Sequence, residues 1–249
     1  MPERKGIYFV SDVHLGLQVG DPADREARFV AFLKSIPADT TKAVYLLGDI
    51  WDFWYEYKDV VPKGSVRVFA ALLDLTDAGV EVYFFPGNHD MWCFSYFEEL
   101  GMKILQQPYR FEADGKRFCI GHGDGLGPVP FGYRLMHAVF ASRFLQALFS
   151  SLHPRLAFAF GNGLSRRNRL SHAPYRFRGE DEPLYRFAVS YAAEHPVDYF
   201  IFGHYHVQVD MTLPSGARLL MSQSWMEDSP YWYWDGISVF LGHSKKSEK

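Results

Sequence analysis

The sequence predicts an α/β fold carrying two β-sheets. Three observations lead there. Short apolar runs at Gly6–Val10, 43–47 and 80–85 alternate with segments of helical period at 22–36 and 64–79, the pattern of parallel strands joined by crossover helices. Beyond residue 100 the pattern changes to closely spaced extended segments, the mark of a second sheet. Each early apolar run also ends in carboxylates, amides or imidazoles, and open α/β sheets bind ligands at the carboxyl ends of their strands.

In chain order, Gly6–Val10 places Ile, Tyr, Phe and Val in succession and ends in Ser11-Asp12-Val13-His14. Asp21-Pro22 opens the first helix, with Ala27, Val30, Ala31, Leu33 and Ile36 on its inner face. The 43–47 strand completes a β-α-β unit, for which a right-handed crossover is expected. It runs into Gly48, which permits a tight turn, and then into Asp49 and Asp52. The 64–79 helix is closed by Gly79, and the third strand ends in Pro86-Gly87-Asn88-His89-Asp90. Residues 103–113 and 116–121 read as a hairpin turning at Asp114-Gly115 and ending in His122-Gly123-Asp124. Residues 131–160 are helical in period with a break at His153-Pro154, and 161–180 read as a loop or short helices. A helix at 181–195 leads to a strand that ends in Gly203-His204-Tyr205-His206. Extended segments at 207–212, 217–222 and 236–241 complete the second sheet, and 244–249 read as a disordered tail. This describes a single domain over 1–243 with a helical insert at 126–180.

Composition agrees with a packed domain: 48% hydrophobic and 22% charged residues exclude a disordered chain. Two cysteines, Cys93 and Cys119, without a CxxC pair, exclude a disulfide framework and a zinc ribbon, and fit a reducing cytosol. Neither a signal-peptide core nor a membrane-spanning apolar run is present, so a cytoplasmic location is expected. Aromatics are abundant at 17% and cluster at 51–57, 92–97 and 225–234, which suggests either aromatic surface near a site or a thick aromatic core, with packing the expected role of Trp51, Trp54 and Trp92. The net charge of −3 hides an asymmetry. Residues 126–178 hold eight Arg with no Lys, Asp or Glu, which leaves −11 on the rest. A basic element on an acidic body is suited to an anion: a phosphate, a nucleic acid or an anionic membrane.

Five strand ends therefore carry Asp12 and His14, Asp49 and Asp52, Asn88 and His89, His122, and His204 with His206. This mixed oxygen and nitrogen set lacks thiolates and suits Mn²⁺, Fe or Zn²⁺ better than copper. Seven or more converging ligands exceed what one ion needs. They fit a two-metal site with ions roughly 3.5–4 Å apart. Asp90 and Asp124 follow ligands and read as turn caps or as groups that orient them.

These blocks, in order over positions 12–206, resemble the calcineurin-like metallophosphoesterases. The resemblance implies a four-layer αββα sandwich and a metal-dependent phosphoesterase. It implies that Asp12, His14, Asp49 and His206 hold one divalent ion and that Asp49, Asn88, His122 and His204 hold the other. Mn²⁺ is the expected ion, with Fe, Zn²⁺ and Mg²⁺ as alternatives. His89 would stabilise or protonate the reacting phosphoester, with Asp52 fixing its tautomer. Within that superfamily SDVHLG at 11–16, GDIWDFW at 48–54, HGD at 122–124 and the Arg-rich insert resemble the UDP-2,3-diacylglucosamine hydrolases of lipid A synthesis. That family cleaves a pyrophosphate to give UMP and 2,3-diacylglucosamine 1-phosphate. The insert would then be a lid: an apolar wall, with Arg166, Arg167 and Arg169 as phosphate anchors. A nucleotide-linked lipid substrate and peripheral contact with the inner membrane follow from this resemblance, with no dedicated nucleic-acid partner. The chain departs from that family at His89, where Arg is usual, at Asp52, where Glu is usual, and in GHYHVQ at 203–208. The alternative reading is a phosphodiesterase or nuclease that uses the Arg-rich insert as a backbone clamp.

Overall fold

A computed structural model describes residues 4–171, 175–226 and 228–244; side chains at 162, 164 and 166–171 lie outside the description. The first sheet has the order β11-β10-β1-β2-β3-β4. Its strands are β1 (Gly6–Val10), β2 (Thr41–Leu46), β3 (Glu81–Phe84), β4 (Lys103–Ile104), β10 (Pro230–Trp234) and β11 (Val239–His243). The second has the order β5-β6-β7-β9-β8, from β5 (Tyr109–Ala113), β6 (Lys116–Ile120), β7 (Tyr199–Phe202), β8 (Val209–Thr212) and β9 (Arg218–Met221). β1 through β4 run parallel, as do β6, β7 and β9, so both sheets carry several carboxyl ends on one rim.

Strand alternation builds the layers, because successive side chains leave opposite faces of a pleated sheet. Phe9, Tyr45, Leu47 and Phe85 of the first sheet meet Phe118, Ile120, Ile201 and Leu220 of the second in one buried cluster. The intervening residues Val10, Val44, Leu46 and Phe84 face the other way. They pack on α1 (Pro22–Ser35) and α2 (Val66–Asp77) through Phe29, Phe32, Val68 and Leu72. On the far face of the second sheet, Phe200, Phe202 and Met221 pack on Leu184 and Ala188 of α7 (Pro183–Glu194). The result is the four-layer αββα sandwich. α1 starts at a side-chain cap in which Asp21 Oδ1 accepts from the N–H groups of Ala23 and Asp24 at 3.0 Å.

Several expectations need correction. Residues 103–104 belong to the first sheet, because parallel pairing with β3 extends a sheet already covered by helices. β10 was not anticipated: PYWYW lacks clean polar alternation, yet both its faces are covered and it pairs with β1 and β11. The 236–241 segment becomes β11 and joins the first sheet. Most of the aromatic clusters are core and not surface: Trp51, Trp54, Trp225, Trp232 and Trp234 are all buried. A short α3 (Tyr96–Glu99) lies upstream of the insert, which holds α4 (Phe131–Ala141), α5 (Arg143–Ser150) and α6 (Pro154–Ser171). α6 runs as one helix to Ser171, into the 161–180 stretch expected to be a loop or short helices. Gly161 explains it: the Phe53 ring packs against the helix where a Cβ would collide, so glycine is there for contact and does not break the helix. Beyond Ser244 the expected tail lies outside the described residues. Among the described residues no helix is long and apolar enough to cross a membrane.

Candidate metal centre

The loops that follow β1, β2, β3, β6 and β7 meet at the common rim. Their backbones are laced together. Asp12 N–H donates to Gly48 O at 3.1 Å, His14 N–H to Asp49 O at 3.0 Å, and Gly203 N–H to His122 O at 2.9 Å. Asp90, fully buried, accepts from the N–H groups of Gly87, Asp49, Ile50 and Trp51 at 2.8–3.2 Å. One carboxylate thereby fixes the turns that present Asp49 and Asn88. Burial and the nearby Asp49 charge push Asp90 up to about 7, against the four N–H donors that favour its anion.

The backbone at the site is strained. Seven described residues other than glycine have positive φ, and five of them are Asp12, His14, Asp49, His204 and His206, at φ between 51° and 72°. Such conformations persist where the surroundings over-determine them, commonly at functional sites. At Gly87 and Gly203 a Cβ would collide with the Asp49 and Asp12 carboxylates, so these glycines let the chain pass directly beneath them.

All seven predicted ligands come together. His206 Nε2 lies 3.1 Å from Asp12 Oδ1 and 3.1 Å from His14 Nε2. His14 Nε2 is 3.9 Å from both Asp12 Oδ1 and Asp49 Oδ2. On the other side, His122 Nε2 is 3.4 Å from the same Asp49 Oδ2 and 3.3 Å from Asn88 Oδ1. The His204 ring stands 5.2 Å from that of His122. Asp49 therefore faces both groups. His122 Nδ1–H donates to Leu47 O at 2.9 Å, so it is Nε2 that faces the other ligands, the arrangement expected of a metal-binding imidazole.

Donor–donor spacings of roughly 3.0–3.5 Å are what ligands held about 2.1 Å from a shared ion require. Asp12, His14, Asp49 and His206 satisfy the proximity needed for one ion. Beside it, His122 Nε2 keeps that spacing to Asp49 Oδ2 and to Asn88 Oδ1. The site thus fits two divalent ions.

Charge follows the same logic. Burial alone would raise Asp12, but His206, by charge and hydrogen bond, holds it at about 2. Burial likewise opposes ionisation of Asp49, and the His122 and His89 charges outweigh it and hold Asp49 well below the usual carboxylate range. Desolvation and the neighbouring His122 lower His204 to about 4.

His89 and Asp52 sit beside this cluster. His89 Nδ1–H donates to the backbone carbonyl of Asp52 at 2.8 Å, and the Asp52 carboxylate lies 3.6 Å from the same nitrogen. That carboxylate is closer to His14 Nδ1, at 3.4 Å, so it serves both rings. It is the Asp52 carbonyl that fixes the tautomer of His89. The His89 side chain remains 22% exposed, open to the space above the centre.

Two chambers adjoin the cluster. A slot of about 120 Å³ is lined by Asn88, His89, Trp92, Met136, Phe140 and Phe160. A cavity of about 780 Å³ opens on the other side of α4, past Gly87 and Asp124. The insert is tied to the body at both. Tyr55 Oη donates to Gln146 O at 2.7 Å, Trp92 Nε1 to Phe140 O at 2.9 Å, and Tyr133 Oη to Asp124 Oδ2 at 3.3 Å. Asp124 also accepts from Gln107 Nε2 at 2.7 Å, a contact that the sequence did not signal. Arg166, Arg167 and Arg169 fall on α6, with side chains outside the described set.

A model of the calcineurin-like phosphoesterase family matches residues 6–208. The chain belongs to this family. Calcineurin-like phosphoesterases are dimetal-dependent hydrolases, in agreement with the candidate binuclear centre. Among curated proteins the chain is 37% identical to the UDP-2,3-diacylglucosamine hydrolase of Porphyromonas gingivalis, over 96% of this chain and 97% of that protein. It is 32% identical to the enzyme of the same name from Stenotrophomonas maltophilia, over 84% of this chain and 86% of that protein. Among solved structures, a dimetal phosphatase from Danio rerio covers 98% of this chain and 97% of its own, with a TM-score of 0.51 at 15% identity, a likeness of fold alone.

Proposed function

We propose that this calcineurin-like phosphoesterase hydrolyses the pyrophosphate bond of UDP-2,3-diacylglucosamine, giving UMP and 2,3-diacylglucosamine 1-phosphate. The observation that carries the reading is the position of Asn88 and His89, which belong to the ligand-rich rim and also line an apolar slot roofed by α4 and α6. A phosphoester and a fatty chain can meet there. The likeness over nearly the whole chain to a hydrolase of that name supports the substrate.

Asp12, His14, Asp49 and His206 would hold one ion and Asp49, Asn88, His122 and His204 the other; the mixed oxygen and nitrogen set suits Mn²⁺, Fe or Zn²⁺, and the family resemblance favours Mn²⁺. Bound divalent ions supply Lewis acidity at the phosphoryl oxygens and make a water nucleophilic near neutral pH. His89 keeps Nδ1–H on the Asp52 carbonyl, so its exchangeable proton is the one on Nε2, facing the open space. As the water oxygen bonds to phosphorus, the bridging oxygen leaves with its electron pair and takes that proton, and the proton the water gives up passes to Nε2 in its place. The Asp52 carboxylate lies 3.6 Å from Nδ1 and would orient the ring. Arg166, Arg167 and Arg169 on α6 would anchor the remaining phosphate charge. The exposed Phe131, Leu135, Phe144, Leu148 and Leu156, on helices over 131–171 that carry Arg but no Asp or Glu, suit peripheral contact with the anionic inner face of a cytoplasmic membrane.

The test is metal-dependent turnover on two substrates. Chelator-treated protein, resupplied with Mn²⁺, should hydrolyse UDP-2,3-diacylglucosamine in detergent micelles and leave single-stranded DNA intact. Cleavage of DNA that weakens steeply with salt, without turnover of the lipid nucleotide, would move the activity to a nuclease.

A further inference from the structure

Two chambers of opposite character meet at the ligand-rich rim. The 120 Å³ slot is walled by Trp92, Met136, Phe140 and Phe160. The 780 Å³ cavity, within the size range of ligand sites, is lined on its insert side by Arg134 of α4 and Arg143 of α5. Tyr133, His137 and Met91 line both and form the partition between them. The one carboxylate in the large cavity, Asp124, is engaged by Gln107 at 2.7 Å and Tyr133 at 3.3 Å. Among the described residues no carboxylate pairs with Arg134 or Arg143. Two guanidinium groups therefore face one polar cavity without a counter-ion, and half-exposed Phe94 offers a ring face at its wall.

A substrate with a fatty half and a nucleotide half, joined at a pyrophosphate, presents the same contrast. We propose that the large cavity is the nucleotide subsite, where Arg134 and Arg143 meet the charge of a nucleoside monophosphate and the space past Ala141 receives its ribose and base. This rests on the proposed cleavage of a nucleotide-linked lipid. It adds where each half lies: the acyl side under Phe140 and Phe160, the nucleotide side across the Tyr133 partition. Guanidinium forks suit phosphate, and their placement on two different helices makes the site depend on how α4 and α5 are held.

The test is calorimetric binding of UMP and, separately, of inorganic phosphate to Mn²⁺-supplied full-length protein. Ala141→Trp fills the cavity from an exposed helix end. UMP affinity should fall by about tenfold or more, with phosphate affinity within about twofold of wild type. The Arg134→Ala, Arg143→Ala double variant, at two exposed positions, should lower UMP affinity by a similar factor. UMP affinity unchanged in both variants overturns the assignment. So does an equal loss of UMP and phosphate in Ala141→Trp, which would place the effect at the ligand-rich rim. Wild-type protein that binds UMP in this way but releases none from UDP-2,3-diacylglucosamine would remove the substrate reading and leave the nucleotide subsite standing. UMP release with unaltered affinity in both variants would do the reverse.

Discussion

Asp49 shows how much one residue is asked to do. It is 1% exposed, sits at φ 53°, and turns Oδ2 toward His14 on one side and His122 on the other. Its Oδ1 accepts the His89 N–H at 2.9 Å, so the residue also places the proposed proton donor. Removing a group that merely orients a metal ligand costs about 10–100-fold in affinity or activity. Asp49→Ala removes a shared ligand, so turnover should fall by more than about 100-fold and elemental analysis should find fewer than two ions per chain. Two ions per chain in that variant would sink the bridging role. The residue types of this centre were legible at the strand ends, where apolar runs give way to Ser-Asp, Gly-Asp, Gly-Asn or Gly-His. The left-handed backbone at five of them was not, because spacing carries no φ. Nor was the Asp52 carbonyl as the partner of His89, since backbone acceptors leave no trace in residue identity.

At the scale of elements, the strands that carry ligands were the readable ones. β1, β2, β3 and β7 are short, largely apolar runs, each followed within a few residues by a turn; β7 is buried on both faces, while β2 opens on exposed Lys42 and β3 alternates half-buried and buried residues. β10 hid because an unbroken aromatic run has no strand period to detect. α6 hid for a different reason: Gly161, Asn162 and Gly163 are breakers by propensity, and only the packing of Phe53 reveals why a helix keeps a glycine there. If α6 anchors substrate phosphate, Arg166→Ala with Arg169→Ala should raise KM for UDP-2,3-diacylglucosamine by about tenfold or more, well beyond any change for bis-nitrophenyl phosphate. Equal losses on the two substrates would mean that these arginines support the helix. Steady-state kinetics in detergent separates the two.

The whole molecule explains why these elements share one rim. Parallel pairing directs the carboxyl ends of three strands in the first sheet and two in the second to the same side, and the inter-sheet core holds them in register. The four-layer order was readable once strand–helix alternation was seen to give way to paired strands near residue 100. The sheet membership of 103–104 and of the last strand was not, because pairing partners depend on which edges the fold leaves open. Charge divides along the same line: an acidic body holds the metal ligands, and a basic, apolar insert lies over them. The central claim is that this assembly splits a nucleotide-linked diacyl sugar at its pyrophosphate. Mass spectrometry of the products after incubation with Mn²⁺ and UDP-2,3-diacylglucosamine tests it directly. The expected products are UMP and 2,3-diacylglucosamine 1-phosphate, both absent when the divalent ion is withheld; release of UDP with free diacylglucosamine, or unchanged substrate in the presence of the ion, would contradict it.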